Sequence, residues 1–127
     1  MTLVHVPVSV GELVDKITIL EIKAQHLNDV HKLAHVHKEL DQLQQIYHNL
    51  NMDLQSYKQQ LMHINQIIWA NEDAARQLDA QTQTSEIAQV ALRTYAANSE
   101  RAHIKLKINL ASHSHIVEAK SYLKDTE

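Results

Sequence analysis

Apolar residues recur every three or four positions over most of the chain, the spacing of one face of an α-helix. The run from Leu33 to Ile68 keeps these steps without a slip, a heptad pattern typical of coiled coils. Together the runs predict helices over about 10–27, 30–48, 53–79 and 86–111. The pattern therefore predicts an all-α protein, an antiparallel bundle of three to four helices.

Polar residues with local preferences mark where these helices begin and end. Ser9 and Glu12 form a capping box, in which each side chain accepts from the other residue's backbone N–H, so the first helix should begin at Val10. Residues 48–53, HNLNMD, favour a turn and predict that the heptad run folds back as a hairpin. Because the register survives this segment, one helix over 30–79 is the alternative.

Both ends of the chain depart from the helical spacing. Residues 2–8 alternate apolar and polar and contain the only proline, which predicts an extended arm or a short edge strand. Residues 115–122, HIVEAKSY, predict a second short strand near that arm. We expect these extended segments to belong with the helices to one domain, 1–127.

Composition narrows the classes of function. One glycine in 127 residues excludes many tight turns and favours long helices. The 12 Lys and Arg form no cluster and are outnumbered by 15 Asp and Glu, so nucleic-acid binding is not expected. The chain has no apolar run of membrane length, no signal-peptide pattern and no cysteine, which predicts a cytoplasmic protein with no membrane partner.

The last predicted helix carries a polar line where a core is expected. Thr94, Asn98, Arg101 and Lys105 follow one face and lie between two apolar stripes. A polar line flanked by apolar surface on both sides indicates a face turned toward protein or a cleft. Two other predicted helices also place polar groups near their core faces. These are Glu21 in the helix over 10–27, and Trp69, Glu72 and Arg76 in the helix over 53–79.

One interpretation is a cleft for a small anionic ligand. Arg101 and Lys105 would hold its carboxylate or phosphate, Asn98 would orient it, and Trp69 would line the site. Glu21 and Glu72 are the candidate general acid or base. The surplus of three cations over two acids, counting Arg76, favours this interpretation.

Two alternatives assign no ligand. In one, the same charges form an internal ion-pair network that only fixes helix register, since buried acids are normally paired. In the other, the heptad run together with Ile19 and Ile22 forms a homodimer or partner surface.

No metal site is predicted, and no cofactor can be named from the sequence. Glu12 and Asp15 have the spacing of an acidic metal-binding pair, but Glu12 is expected in the capping box and Asp15 on the polar side of the first helix. His31 and His35 lie one turn apart without an evident third ligand.

Four segments resemble those of a family of small bacterial proteins of unknown function. They are SVGELVDKITILEIK (9–23), IWANED (68–73), YAANSERAHIKLKIN (95–109) and IVEAKSY (116–122). The resemblance spans nearly the whole chain and implies one domain and a bacterial source, but no activity or site. Ser99 and Ala119 stand where the family pattern has acids.

Overall fold

Four helices make up the computed structural model, which describes residues 1–120. They are α1 (Val10–His26), α2 (Val30–Leu50), α3 (Gln55–Arg76) and α4 (Thr84–Ala111). The described residues contain no β-strand. The all-α prediction is confirmed, and the predicted helix ends differ from the observed ones by at most three residues.

Local capping explains where α1 and α2 begin and end. The Ser9 hydroxyl accepts the Glu12 N–H at 3.0 Å, as predicted, whereas the Glu12 carboxylate turns away to Lys105. Asp29 accepts two N–H groups at the start of α2. Asn51 adopts a left-handed conformation, with φ 58°, and ends α2. Asparagine tolerates this conformation. The alternative of one helix over 30–79 is therefore wrong.

α1 is the central element, because its two sides carry two separate apolar clusters. One cluster joins α1 to α2; its buried members are Leu13, Ile17, Leu20, Val36 and Leu40. The other joins α1 to α3 and α4; its buried members are Val14, Leu54, Leu61, Ile64, Ile68, Ala97, Ile104 and Ile108. The heptad positions of α2 and α3 thus pack within the chain.

α2 and α3 do not form the packed hairpin predicted from the turn between them. α3 packs along α4, and α2 packs along α1 alone. The link between α2 and α3 is Tyr47, which reaches the second cluster and lies 5.7 Å below the Lys58 ammonium. The apolar positions of α2 therefore serve a different neighbour from the one expected.

Within residues 1–120, neither terminal segment forms the predicted strand. Residues 1–8 have no regular secondary structure and are exposed. Residues 115–120 are also irregular, and the rest of the predicted strand, 121–122, lies outside the described residues. Among the helices of the described part, none combines the length and the apolar character needed to cross a membrane.

Candidate functional site

A fully buried carboxylate lies at the meeting point of three helices. Asp15 is 0 % exposed on α1. Its Oδ1 accepts from the Asn65 side chain of α3 at 2.9 Å and from Arg101 Nε of α4 at 3.0 Å. The Thr18 hydroxyl donates to the Asp15 carbonyl and accepts from the same Asn65 amide. The expectation that Asp15 lies on the polar side of the helix is wrong.

Arg101 pairs with Asp15 through two of its nitrogens. Nε lies 3.0 Å from each carboxylate oxygen, and NH2 lies 2.5 Å from Oδ2. These hydrogen bonds raise the pKa of Arg101, outweighing the opposing effect of burial. The remaining nitrogen, NH1, has only a long contact of 3.4 Å with Asn98 Oδ1. The guanidinium is thus anchored on one side and open on the other.

Lys105 lies one turn further along α4 and meets three carboxylates. Its ammonium, in a side chain only 12 % exposed, is 2.6 Å from Glu12, 3.7 Å from Asp15 and 3.3 Å from Glu118. Burial lowers the pKa of Lys105, but the Glu12 hydrogen bond and the three negative charges outweigh it and raise the pKa above its ordinary value. Lys105 therefore stays a cation.

Glu118 joins this group from the irregular segment that follows α4. Its Oε2 contacts Lys105, and its Oε1 lies 2.6 Å from the Lys120 ammonium. The Lys120 hydrogen bond lowers the pKa of Glu118, against a smaller opposing effect of burial. We call the six ionised side chains together the charged cluster; its members are Glu12, Asp15, Arg101, Lys105, Glu118 and Lys120.

The close approach of α1 and α4 depends on the single glycine. A Cβ on Gly11 would lie 2.6 Å from the Lys105 carbonyl oxygen, far inside van der Waals contact. The Gly11 N–H donates to Asn109 Oδ1 at 2.7 Å, so an otherwise unpaired donor at the helix start is satisfied by α4. Glycine is therefore required here for space.

Next to the charged cluster lies an open cavity of about 290 Å³, which we call the α1–α4 cleft. Its lining residues are Glu12, Asn98, Arg101, Ala102, Lys105, Leu106, Asn109, Glu118 and Lys120. This volume is at the lower end of the range of about 300–1,000 Å³ for small-molecule pockets.

The structure brings together only half of the six candidate residues. Asn98, Arg101 and Lys105 line the α1–α4 cleft. Glu21 instead lies 3.2 Å from Lys58, in an ion pair whose alignment leaves the buried Oε1 without a hydrogen bond. The Trp69 ring stacks on His26 of α1, with centroids 5.0 Å apart.

Glu72 is exposed on α3 and, like Glu21, is not a partner of Arg101 or Lys105 in the described structure. Arg76 pairs with Asp73 on the surface at 2.8 Å. Arg101 and Lys105 therefore point inward, as expected, but meet different acids. In the charged cluster three acids face three bases, so the expected surplus of cations is not found.

Sequence reasoning missed Asp15, Glu12 and Glu118 as partners of these cations. The signal for Asp15 was a second stripe on α1 at steps of four, three and four, formed by buried residues; they are Gly11, Asp15, Thr18 and Ile22. No periodic signal marks Glu118, because its segment has no regular structure. Within residues 1–120, no group of three or more His, Asp or Glu side chains is arranged to hold a metal ion.

These features define a small helical protein in which a charged cluster adjoins a cleft between two closely packed helices. The chain belongs to the family of unknown function DUF6165, whose model matches residues 4–126. No curated protein and no solved structure matches the chain significantly. The family thus accounts for nearly the whole chain and brings no activity with it.

Proposed function

We propose that the α1–α4 cleft binds a small molecule that carries a carboxylate or a phosphate group. The observation that supports this most directly is the contact between Lys105 and Glu118. Glu118 is 43 % exposed and belongs to an irregular segment, yet its carboxylate is held at 3.3 Å by a largely buried ammonium. A cation that binds a carboxylate from such a segment can also bind the carboxylate or phosphate of a ligand.

When Glu118 is left out of the count, the remaining charges around the cleft favour an anionic ligand. Arg101, Lys105 and Lys120 then face Glu12 and Asp15, which leaves one positive charge in excess. The oxygens of Asp15 are already used by Asn65 and by Arg101, so they do not compete for the ligand. The charge in excess is therefore directed into the cleft.

Three of the lining residues have a direct role in this proposal. The Lys105 ammonium and Arg101 NH1 hold the anion, and the Asn98 carboxamide, already near NH1, orients the rest of the molecule. Glu21, Trp69 and Glu72 are not among the lining residues. The proposal therefore concerns binding, and a catalytic role for the two glutamates stays a prediction that the cleft does not support.

The test is a titration with inorganic phosphate and, in parallel, with acetate, followed by amide chemical shifts in NMR. Arg101 is unsuitable as the main variant, because its loss would leave the buried Asp15 unpaired. Ala102→Leu fills the cleft without changing any charge, and Ala88→Leu makes the same change at an exposed position of α4.

We expect saturable shifts centred on residues 98–109 in the wild type and in Ala88→Leu, and none in Ala102→Leu. The absence of saturable shifts in the wild type, or equal shifts in both variants, would contradict the proposal. Thermal melting of each variant checks that the fold is retained.

A second candidate function is structural, and the burial of Asp15 favours it. A carboxylate that is 0 % exposed and bonded to side chains of two other helices fixes their relative register. If this is its only role, the double variant Asp15→Leu with Arg101→Met should keep stability within about 1–2 kcal/mol, because a buried ion pair can be replaced by apolar groups. If the charged cluster has only this structural role, the wild type should also give no saturable phosphate titration.

The homodimer, the cytoplasmic location and the bacterial source stay predictions. Ile22 and the heptad positions Val36, Leu40, Leu61 and Ile64 are buried within the chain, which removes most of the surface expected to form a coiled-coil dimer. Sedimentation equilibrium measures the oligomeric state directly.

A further inference from the structure

We infer that residues 113–120 form a lid on the α1–α4 cleft, and that the Glu118 carboxylate occupies the position of the ligand's anionic group until the ligand displaces it. This inference rests on the proposed binding function and adds to it how the cleft is closed. The contact that carries it is the bridge made by Glu118, whose Oε2 meets Lys105 while Oε1 meets Lys120. Both lysines also line the cleft.

The beginning of the lid is firmly attached. His113, in the left-handed conformation with φ 52°, reverses the chain at the end of α4. The Ser114 N–H donates to the Asn109 carbonyl, and the His113 N–H donates to the Leu110 carbonyl, the two bonds of a Schellman motif. The Ser114 hydroxyl accepts the Val10 N–H of α1 at 3.1 Å. These bonds set the direction in which the segment leaves the helices.

The rest of the lid is held much more weakly. After Ser114 donates to the Ile116 carbonyl, residues 117–119 are exposed, and within the described part of the chain their ion pair with the helices is the one between Glu118 and Lys105. Partly exposed ion pairs contribute little to stability. The outer part of the lid can therefore lift while its attachment at Ser114 and all four helices stay intact.

The geometry of the bridge agrees with a carboxylate or a phosphate as the anionic group of the ligand. Glu118 uses two oxygens on one carbon to join two ammonium groups. A carboxylate, or a phosphate with its oxygens on one phosphorus atom, can replace it with the same number of ion pairs. Because Lys120 belongs to the lid, a ligand bound in this way would allow the lid to close again over it.

The experiment uses the full chain and compares the wild type with Glu118→Gln. The probe is inorganic phosphate in the NMR titration above, and the ¹⁵N relaxation order parameters of residues 115–120 report the mobility of the lid directly. Glu39→Gln is the matched control, since Glu39 is an exposed glutamate on α2.

Removing the competing carboxylate should tighten phosphate binding, by about tenfold if the lid is closed in roughly nine molecules out of ten. The order parameters of residues 115–120 should also be lower in Glu118→Gln than in the wild type without phosphate, and neither change should occur in Glu39→Gln. Lys120→Gln should weaken phosphate binding, because it removes one of the two ammonium groups.

The outcomes separate the lid from the binding function. If the wild type binds phosphate and Glu118→Gln binds it equally, with unchanged order parameters of residues 115–120, the lid is overturned and the cleft stands. If neither protein binds phosphate saturably, the proposed function fails and the inference falls with it.

Discussion

The two sides of α1 hold their neighbours by different physical means. Toward α2 the contact is apolar, with Leu13, Ile17 and Leu20 packed on Val36 and Leu40. Toward α4 the same helix adds polar contacts to the apolar cluster around Val14, through a glycine, a buried carboxylate and a glutamate paired with Lys105. Apolar burial supplies free energy without direction, whereas hydrogen-bonded ion pairs require particular atoms to meet.

This difference explains why the cleft lies beside α4. At the α2 side, side chains of similar volume could replace one another with small loss. At the α4 side, Gly11, Asp15 and Asn109 each meet a defined atom, so the helices keep one register and hold Arg101 and Lys105 in place. The polar side thus fixes the register of the helices, which the apolar side does not.

The largest expected effect comes from breaking the polar side at its centre. Arg101→Ala leaves the fully buried Asp15 carboxylate without its main partner, and we expect a loss of about 3–5 kcal/mol in the free energy of unfolding. Urea denaturation measures the loss. Arg93→Ala, at an exposed position of the same helix, should change stability by less than about 0.5 kcal/mol. Similar losses in the two variants would show that Asp15 does not depend on Arg101.

Breaking the apolar side should cost somewhat less. Leu40→Ala removes a buried side chain from the α1–α2 cluster, and we expect a loss of about 2–4 kcal/mol from transfer and cavity terms. Ile46→Ala on the same helix, where the side chain is mostly exposed, should cost less than about 1 kcal/mol. A loss independent of salt concentration would distinguish this apolar contact from the polar side.

A change at Gly11 tests how closely the polar side is packed. Gly11→Ala should reduce stability by about 1–3 kcal/mol, because the new Cβ meets the Lys105 backbone oxygen. Helix propensity alone would stabilise the variant by up to about 1 kcal/mol. The sign of the change in thermal melting temperature therefore decides between the two effects.

The smallest expected effect is a release of the lid in acid. Since the folded-state pKa of Glu118 is lowered, its contribution is fully present above the unfolded-state pKa and is lost as the pH falls through the folded-state value. The ¹⁵N order parameters of residues 115–120 should fall in that acidic range. Glu118→Gln should remove this pH dependence of residues 115–120, and it should leave the pH dependence of the backbone mobility of α2 unchanged.

The helices could be predicted because their signals are local. Apolar spacing, the Ser9 cap and the turn-prone residues before Asn51 each act within a few positions. Which helices pack together is not local, since an apolar face on α2 does not specify the helix that covers it. The sequence therefore predicted the elements and not the partner of α2.

The cleft was predictable in part for a similar reason. Arg101 and Lys105 lie on a line flanked by apolar stripes, which indicates an inward direction whatever their partners are. Asp15 was assigned to solvent because α1 was judged by its apolar face, whereas its second buried face carries small and polar residues. Glu118 lies in a segment whose position depends on His113 and Ser114, and no periodicity reveals that.

α2 is attached to the rest of the molecule chiefly through α1, and this has a consequence for how the protein unfolds. Lifting α2 away would expose the α1–α2 cluster and remove Tyr47 from the other cluster, while the charged cluster and the α3–α4 contact stay in place. Opening of this kind is sub-global unfolding, with a free energy below that of the whole chain. α1, α3 and α4 thus form a body from which α2 can separate, and partial unfolding should begin at α2.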